Sequence, residues 1–67
     1  MKCVVVGGAG ALGRTLIKLL IEKSIEVISV DININTEATH NVILQTPYNV
    51  ENLESACSQA ISLGPFD

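Results

Sequence analysis

The apolar residues of this chain fall into runs of two kinds, and their spacing predicts five elements. Lys2-Cys-Val-Val-Val-Gly7 is a short continuous apolar run closed by glycine, the pattern of a strand buried on both faces. From Ala11 to Lys23 the period changes. Leu12, Leu16, Leu19 and Leu20 stand at i, i+4, i+7 and i+8, one face of a helix, with Ile17 and Ile21 beside them. Arg14, Lys18, Glu22 and Lys23 take the other side. Ile25 to Asp31 reads as a second strand, and the polar, Asn- and Thr-rich stretch Ile32 to Asn41 as a loop. A third, shorter strand is expected over Asn41 to Thr46, ended by Pro47, which cannot donate to a ladder. Asn49 to Leu63 is the best-marked helix. Asn49 suits its N-cap, and Val50, Leu53, Cys57, Ala60 and Ile61 form its apolar stripe. Glu51 and Glu54 lie near the positive end of its dipole. Gly64 suits the left-handed position after its end, and Pro65 forbids continuation. The order is β-α-β-loop-β-α, an α/β pattern, in one domain over residues 1–67.

Composition narrows the classes. Hydrophobic residues make up 48% of the 67, too many for a disordered chain, and the net charge of −3 with no Lys/Arg cluster argues against a nucleic-acid partner. Ordering costs on the order of 1.5 kcal/mol per residue, so one small core leaves the folding balance near zero without further support. Disulfides are not expected to supply it. Cys3 and Cys57 lie 54 positions apart, with no CxxC and no metal-ligand spacing, and read as two small buried hydrophobes in a reducing compartment. The chain opens directly on a strand pattern without a signal or transit segment. Its apolar runs fall well short of the roughly 20 residues that span a bilayer. A cytoplasmic protein with no membrane partner is expected.

The feature with chemical content is Gly-x-x-Gly-x-x-Gly at Gly7, Gly10 and Gly13, between a strand and a helix. In a βαβ unit of about 30 residues such a loop is a dinucleotide fingerprint. Gly7 allows the tight turn off the strand, Gly10 lets the backbone approach a diphosphate, and Gly13 lets the helix pack closely on the sheet. The amides from Ala9 through Ala11 to Leu12 open on the positive end of the helix and make an anion site. No Gly-Lys-Ser/Thr follows, so a nucleoside-triphosphate loop is excluded. Asp31, 18 residues after Gly13, closes the second strand. A carboxylate there accepts from both adenosine ribose hydroxyls and repels a 2′-phosphate, so NAD(H) is expected in preference to NADP(H). The bland alternative for Asp31 is a turn residue at a strand end. Ile32 lines the adenine slot or simply packs. Arg14 lies near the phosphates or in solvent.

These residues carry a resemblance. Val-Val-Gly-Gly-Ala-Gly-Ala-Leu-Gly at Val5–Gly13, with Ser29-Val30-Asp31 ending the second strand, resembles the amino-terminal part of the short-chain dehydrogenase/reductase superfamily. The Gly-Gly-x-Gly-Ala-Leu-Gly form and the short polar connection after Asp31 are most similar to its dihydropteridine reductase branch. The resemblance implies a three-layer Rossmann-like half domain with parallel sheet order 3-2-1. It also implies a complete protein that reduces a pterin-like substrate, quinonoid dihydropterin, with NADH. The sugar-nucleotide epimerase/dehydratase branch begins similarly, but usually has an aromatic where this chain has Ala11 and a longer segment after the acid.

The superfamily's hydride-transfer centre is a Tyr with a Lys four residues later. The only tyrosine here is Tyr48, at a strand-to-helix turn, and the residue four later is Asn52. His40 has no second ligand or nucleophile near it and reads as a solvated loop residue, and no serine lies in a Gly-x-Ser-x-Gly elbow. The sequence therefore offers cofactor-binding residues, no catalytic residue and no metal site. A second reading is a non-catalytic dinucleotide-binding or interaction module. With order 3-2-1 the apolar first strand, Cys3 to Val6, is an exposed edge that invites pairing, so a homo-oligomer or complex through that edge is expected.

Overall fold

A computed structural model describes residues 1–66. Its elements follow one another as β1 (Lys2–Val6), α1 (Ala11–Glu22), β2 (Glu26–Asp31), β3 (His40–Ile43) and α2 (Val50–Ser62). The three strands form one parallel sheet in the order β1-β2-β3. Lys2 to Val6 pair with Glu26 to Val30, and Ile28 to Asp31 pair with His40 to Ile43. Among the described residues no helix is long and apolar enough to cross a membrane.

The central strand explains the layering. Val27 packs with Val5 and Ile17, whereas its neighbour Ile28 packs with Val30, Val42, Ala56 and Ala60. Adjacent strand residues point to opposite faces, so α1 covers one face of the sheet and α2 the other. The result is a small three-layer α/β domain.

The phase of each helix differs from the expected one, for a steric reason. In α1 the residues that turn inward are Ile17, fully buried, with Leu20 and Ile21. Leu12, Leu16 and Leu19 of the expected stripe are exposed. Gly13 sets this phase: a Cβ there would overlap the Gly7 carbonyl oxygen, so only the glycine side of the first turn lies on the sheet. In α2 the buried residues are Ala56 and Ala60, whose small side chains let the helix sit close. Val50, Leu53 and Ile61 of the expected stripe are exposed, as is Cys57; Cys3 is half-buried, so neither cysteine is the fully buried hydrophobe expected.

Helix ends follow local chemistry. Asn49 caps α2 as expected, its side chain accepting from the Asn52 amide at 2.8 Å. Gly64, however, does not take a left-handed conformation, since Gly7 is the only described glycine with positive φ. The end of α2 is closed instead by 3₁₀-type bonds from Leu63 to Ala60 and from Gly64 to Ile61, and by the Lys2 ammonium donating to the Leu63 carbonyl at 2.6 Å. The left-handed cap is in α1. Ser24 has φ 62°, Ser24 N–H bonds Ile21 and Ile25 N–H bonds Leu20, which is a Schellman motif on a serine.

β3 begins one residue early, at His40, and ends at Ile43 rather than Thr46. The cause is its partner. The last bond, Leu44 N–H to the Asp31 carbonyl at 2.9 Å, uses the final residue of β2. The connection from Ile32 to Thr39 has only eight residues, short for a parallel crossover, which usually takes about a dozen or more. It substitutes for a helix by bonding to itself and to β2. Thr39 accepts from the Val27 amide through Oγ1 and donates its own amide to the Val27 carbonyl, and Ala38 packs on the α1-side core.

Candidate functional site

The carboxyl ends of β1 and β2 bring the glycine loop and Asp31 together. Gly7 extends the β1 ladder with an amide bond to the Val30 carbonyl at 2.8 Å, then turns with φ +81°, a conformation glycine adopts without Cβ strain. Gly10 closes the turn by donating to the Gly7 carbonyl and becomes the N-cap of α1, its own carbonyl accepting from Arg14. The amides of Ala11, Leu12 and Gly13, in the first turn of α1, have no acceptor among the described residues, as the geometry of a helix start dictates. They carry the positive end of the helix dipole.

The glycines of the loop differ in what they make room for. A Cβ on Gly8 would overlap the buried Ser29 hydroxyl, and one on Gly13 the Gly7 carbonyl. Gly10 is different. Its φ of −74° and ψ of 168° suit any residue, and a Cβ there would meet only the Gly7 oxygen, at an ordinary 3.5 Å. Nothing in the fold demands glycine at that position. A group arriving from outside and resting on the bare Cα would.

Asp31 is the last residue of β2. Its Oδ2 accepts from the Ala9 amide at 3.0 Å and its Oδ1 from the Asn33 amide at 3.2 Å. The Ala9 bond first and the Asn33 bond second hold the carboxyl below its ordinary value, against a smaller opposing effect of desolvation. The Ala9 amide is thus not one of the bare amides of the loop. Its partner is the acid that the sequence places at the ribose. An ionised carboxylate has about four acceptor positions, so Asp31 keeps capacity after both bonds. Ile32, next along, is about half exposed beside it (46%).

Residues that sequence reasoning missed lie beneath the loop. Ser29 is buried and its hydroxyl has no partner among the described residues. Asn35 is buried within the polar connection, bonded to Gly8. The signal was available for Asn35: a short link between parallel strands must satisfy its own backbone, and Asn side chains do that by imitating peptide groups.

The other noted residues stay apart. Tyr48 is exposed between β3 and α2, His40 is exposed at the start of β3, and Arg14 faces a shallow hollow with Lys18 and Glu37. A larger apolar hollow of about 440 Å³ lies on the α2 side of β1, lined by Val4, Val6, Leu53, Cys57, Ile61 and Phe66 among others. No protein-family model matches this chain, and no curated protein matches it either.

Proposed function

We propose that this chain is the adenosine-and-diphosphate half of an NAD(H) site, in a Rossmann-like half domain with sheet order 3-2-1. We read it as the amino-terminal part of a short-chain dehydrogenase/reductase of the dihydropteridine reductase kind. The single observation that carries the reading is Gly10. The fold tolerates a side chain there, yet the position is bare, and it heads a helix whose next three amides are unsatisfied. A diphosphate fits that combination of open backbone and positive dipole. Ala11, Leu12 and Gly13 would supply the amides, Gly7 and Gly10 the turn and the approach, and Asp31 the ribose contact through its remaining acceptor capacity. Ala9 takes part through Asp31, and Ile32 would flank the adenine.

The bound dinucleotide would supply hydride; the chain's own residues bind and orient it. The Tyr-x-x-x-Lys pair of the superfamily is not among the 67 residues. Reduction of a pterin-like substrate is therefore assigned to a complete protein containing that pair. Within these residues the activity is binding.

Calorimetric titration with NADH and NADPH tests the proposal. Half a cleft is expected to bind NADH more weakly than micromolar, less than about 8 kcal/mol, with NADPH weaker still. Asp31→Ala lowers NADH affinity and removes the discrimination. Equal affinity of the unaltered chain for the two cofactors would refute the assignment of Asp31.

A non-catalytic interaction module is favoured by a different observation, the uncovered edge of β1 with the apolar hollow beside it. The two readings are compatible, since the glycine loop lies at the carboxyl end of β1 and leaves its edge clear.

A further inference from the structure

Asn35 lies in the middle of an exposed connection, yet only 4% of it is accessible, and all four of its polar atoms are bonded. Its Oδ1 accepts from the amides of Glu37 and Ala38 at 2.8 and 3.1 Å. Its backbone amide donates to Asn41 Oδ1 at 2.8 Å, and its carbonyl accepts from Asn41 Nδ2 at 3.0 Å. These bonds, with a longer one of 3.4 Å from the Ala38 amide to the Asn35 carbonyl, are local and tie the connection to itself. One further bond is not local. Asn35 Nδ2 donates to the Gly8 carbonyl at 2.8 Å, across 27 positions of sequence.

That carbonyl belongs to the same peptide group as the Ala9 amide, which Asp31 holds at 3.0 Å. In a trans peptide the C=O and N–H point in opposite directions. Asn35 and Asp31 therefore grip one peptide plane from its two sides, while Ser29 closes the space under Gly8. A flip of this peptide would exchange the two directions. It would take the carbonyl, a partial negative charge, from Asn35 toward Asp31, and would disturb the loop that leads into the free amides of α1. The flip turns ψ of Gly8, where no Cβ stands in the way, and φ of Ala9, where one does.

We propose that Asn35 is the positioning residue of the glycine loop: by holding the Gly8 carbonyl it fixes the Gly8–Ala9 peptide, and so keeps the loop in the conformation that receives an anion. The consequence for affinity rests on the dinucleotide reading above, whereas the conformational effect does not. Asp31 can then engage a ribose without being the sole anchor of the loop.

The test uses Asn35→Asp in the whole chain. The substitution keeps the Oδ1 acceptor for Glu37 and Ala38. Ionised, it cannot donate to Gly8; protonated, it can. Near pH 7.5, NAD⁺ affinity is expected to fall roughly tenfold or more by calorimetry. Near pH 5 it should return to within about threefold of the unaltered chain at that pH, since an oxygen in place of Nδ2 faces the Gly8 carbonyl, which with burial favours the protonated acid over the pull of the two amides. Asn35→Ala should lose affinity at both pH values. Comparison with the unaltered chain removes the titration of Asp31, Glu37 and His40. Asn41→Ala separates positioning from folding: it breaks the local ties and should lower the melting temperature, yet leave affinity within about threefold. Equal losses in Asn41→Ala and Asn35→Asp would overturn the proposal, as would unchanged affinity in Asn35→Asp. If the unaltered chain binds no NAD⁺, the dinucleotide reading fails and nuclear magnetic resonance of the loop amides decides the remainder. Gly8 and Ala9 resonances displaced in Asn35→Asp near pH 7.5 and restored near pH 5 uphold the positioning role, and unmoved resonances overturn it. Should the carboxylate prevent folding near pH 7.5, Asn35→Ser carries the same comparison, because its hydroxyl keeps the turn but is too short to reach Gly8.

Discussion

At the scale of single residues, the glycine loop separates side chains that the fold forbids, at Gly8 and Gly13, from one that it tolerates, at Gly10. Gly13→Ala is expected to destabilise the chain by about 1–3 kcal/mol, the range for overpacking a close contact, because its Cβ would overlap the Gly7 carbonyl. Gly10→Ala is expected to change stability by no more than about 0.5 kcal/mol while lowering NADH affinity sharply. Urea denaturation and calorimetry measured on both variants check the pair. Full affinity in Gly10→Ala would remove the argument for a diphosphate at that site. Asp31 adds a dependence on pH. Folding lowers its pKa through the Ala9 and Asn33 amides, so its contribution is present above the ordinary value near 3.8 and is lost as the pH falls through the lower folded value. Asp31→Asn should be less stable than the unaltered chain at neutral pH, and the gap should close in strong acid. A gap independent of pH in urea melts would contradict this. The roles of Gly7 and Gly13 and the place of Asp31 were legible in the sequence, because each answers to a local rule of turn or strand end. The tie from Asn35 to Gly8 and the place of Ser29 beneath that glycine were not, since Gly8 is remote in sequence and adjacent only in space.

At the scale of elements, caps were easier to read than faces. Asn49 was identifiable from its type and position, and Asn49→Ala should cost about 1 kcal/mol in a denaturation experiment. The Schellman cap on Ser24 was hidden, because a serine gives no signal for positive φ. Ser24→Gly removes the left-handed penalty and is expected to stabilise the chain by about 0.5–1 kcal/mol, net of glycine's greater freedom when unfolded. An unchanged or lower melting temperature would show that the serine is not strained. The buried faces went astray in both helices for a common reason. An apolar-rich helix presents several stripes of similar hydrophobicity, and periodicity selects the largest side chains. The sheet selects by close approach instead: Gly13 turns α1 so that Ile17, Leu20 and Ile21 face inward, and in α2 Ala56 is buried beside Ala60, the one buried member of the expected stripe. Ile17→Ala, which empties a fully buried position, should therefore cost about 2–5 kcal/mol, whereas Leu12→Gln at an exposed one should cost little.

At the scale of the whole molecule, one flank is left uncovered. The accessible surface is 4423 Å², against about 4,100 Å² for a typical monomer of this mass. β1 is an edge strand. The bonds from Glu26 to Met1 and from Gly7 to Val30 turn the odd-numbered residues of β1 toward β2, leaving the backbone of Val4 and Val6 directed outward. The side chains of these valines line the apolar hollow with Leu53, Cys57 and Ile61. Proline, bulges and inward charges, the usual protections of an edge, are missing from Cys3 to Val6. Self-association through β1 is the expected outcome at micromolar concentration. Light scattering after size exclusion should report a dimer or larger species for the unaltered chain and a smaller one for Val6→Lys, whose charge would occupy the seam. A folded monomer in both cases would dismiss the edge as an interface.

What the sequence determined by itself was the succession of elements, the parallel α/β class, the glycine turn and the acid at the end of β2. Each depends on neighbours within a few residues, through period, turn conformation or strand termination. Only the tertiary structure decided which stripe of each helix is buried, where β3 stops, and how the loop peptide is held between Asp31 and Asn35. Those outcomes depend on the distance between backbones brought together from far apart in the chain, and on which buried polar groups find partners once they meet. Steric fit and hydrogen-bond satisfaction across long sequence separations are properties of the packed molecule.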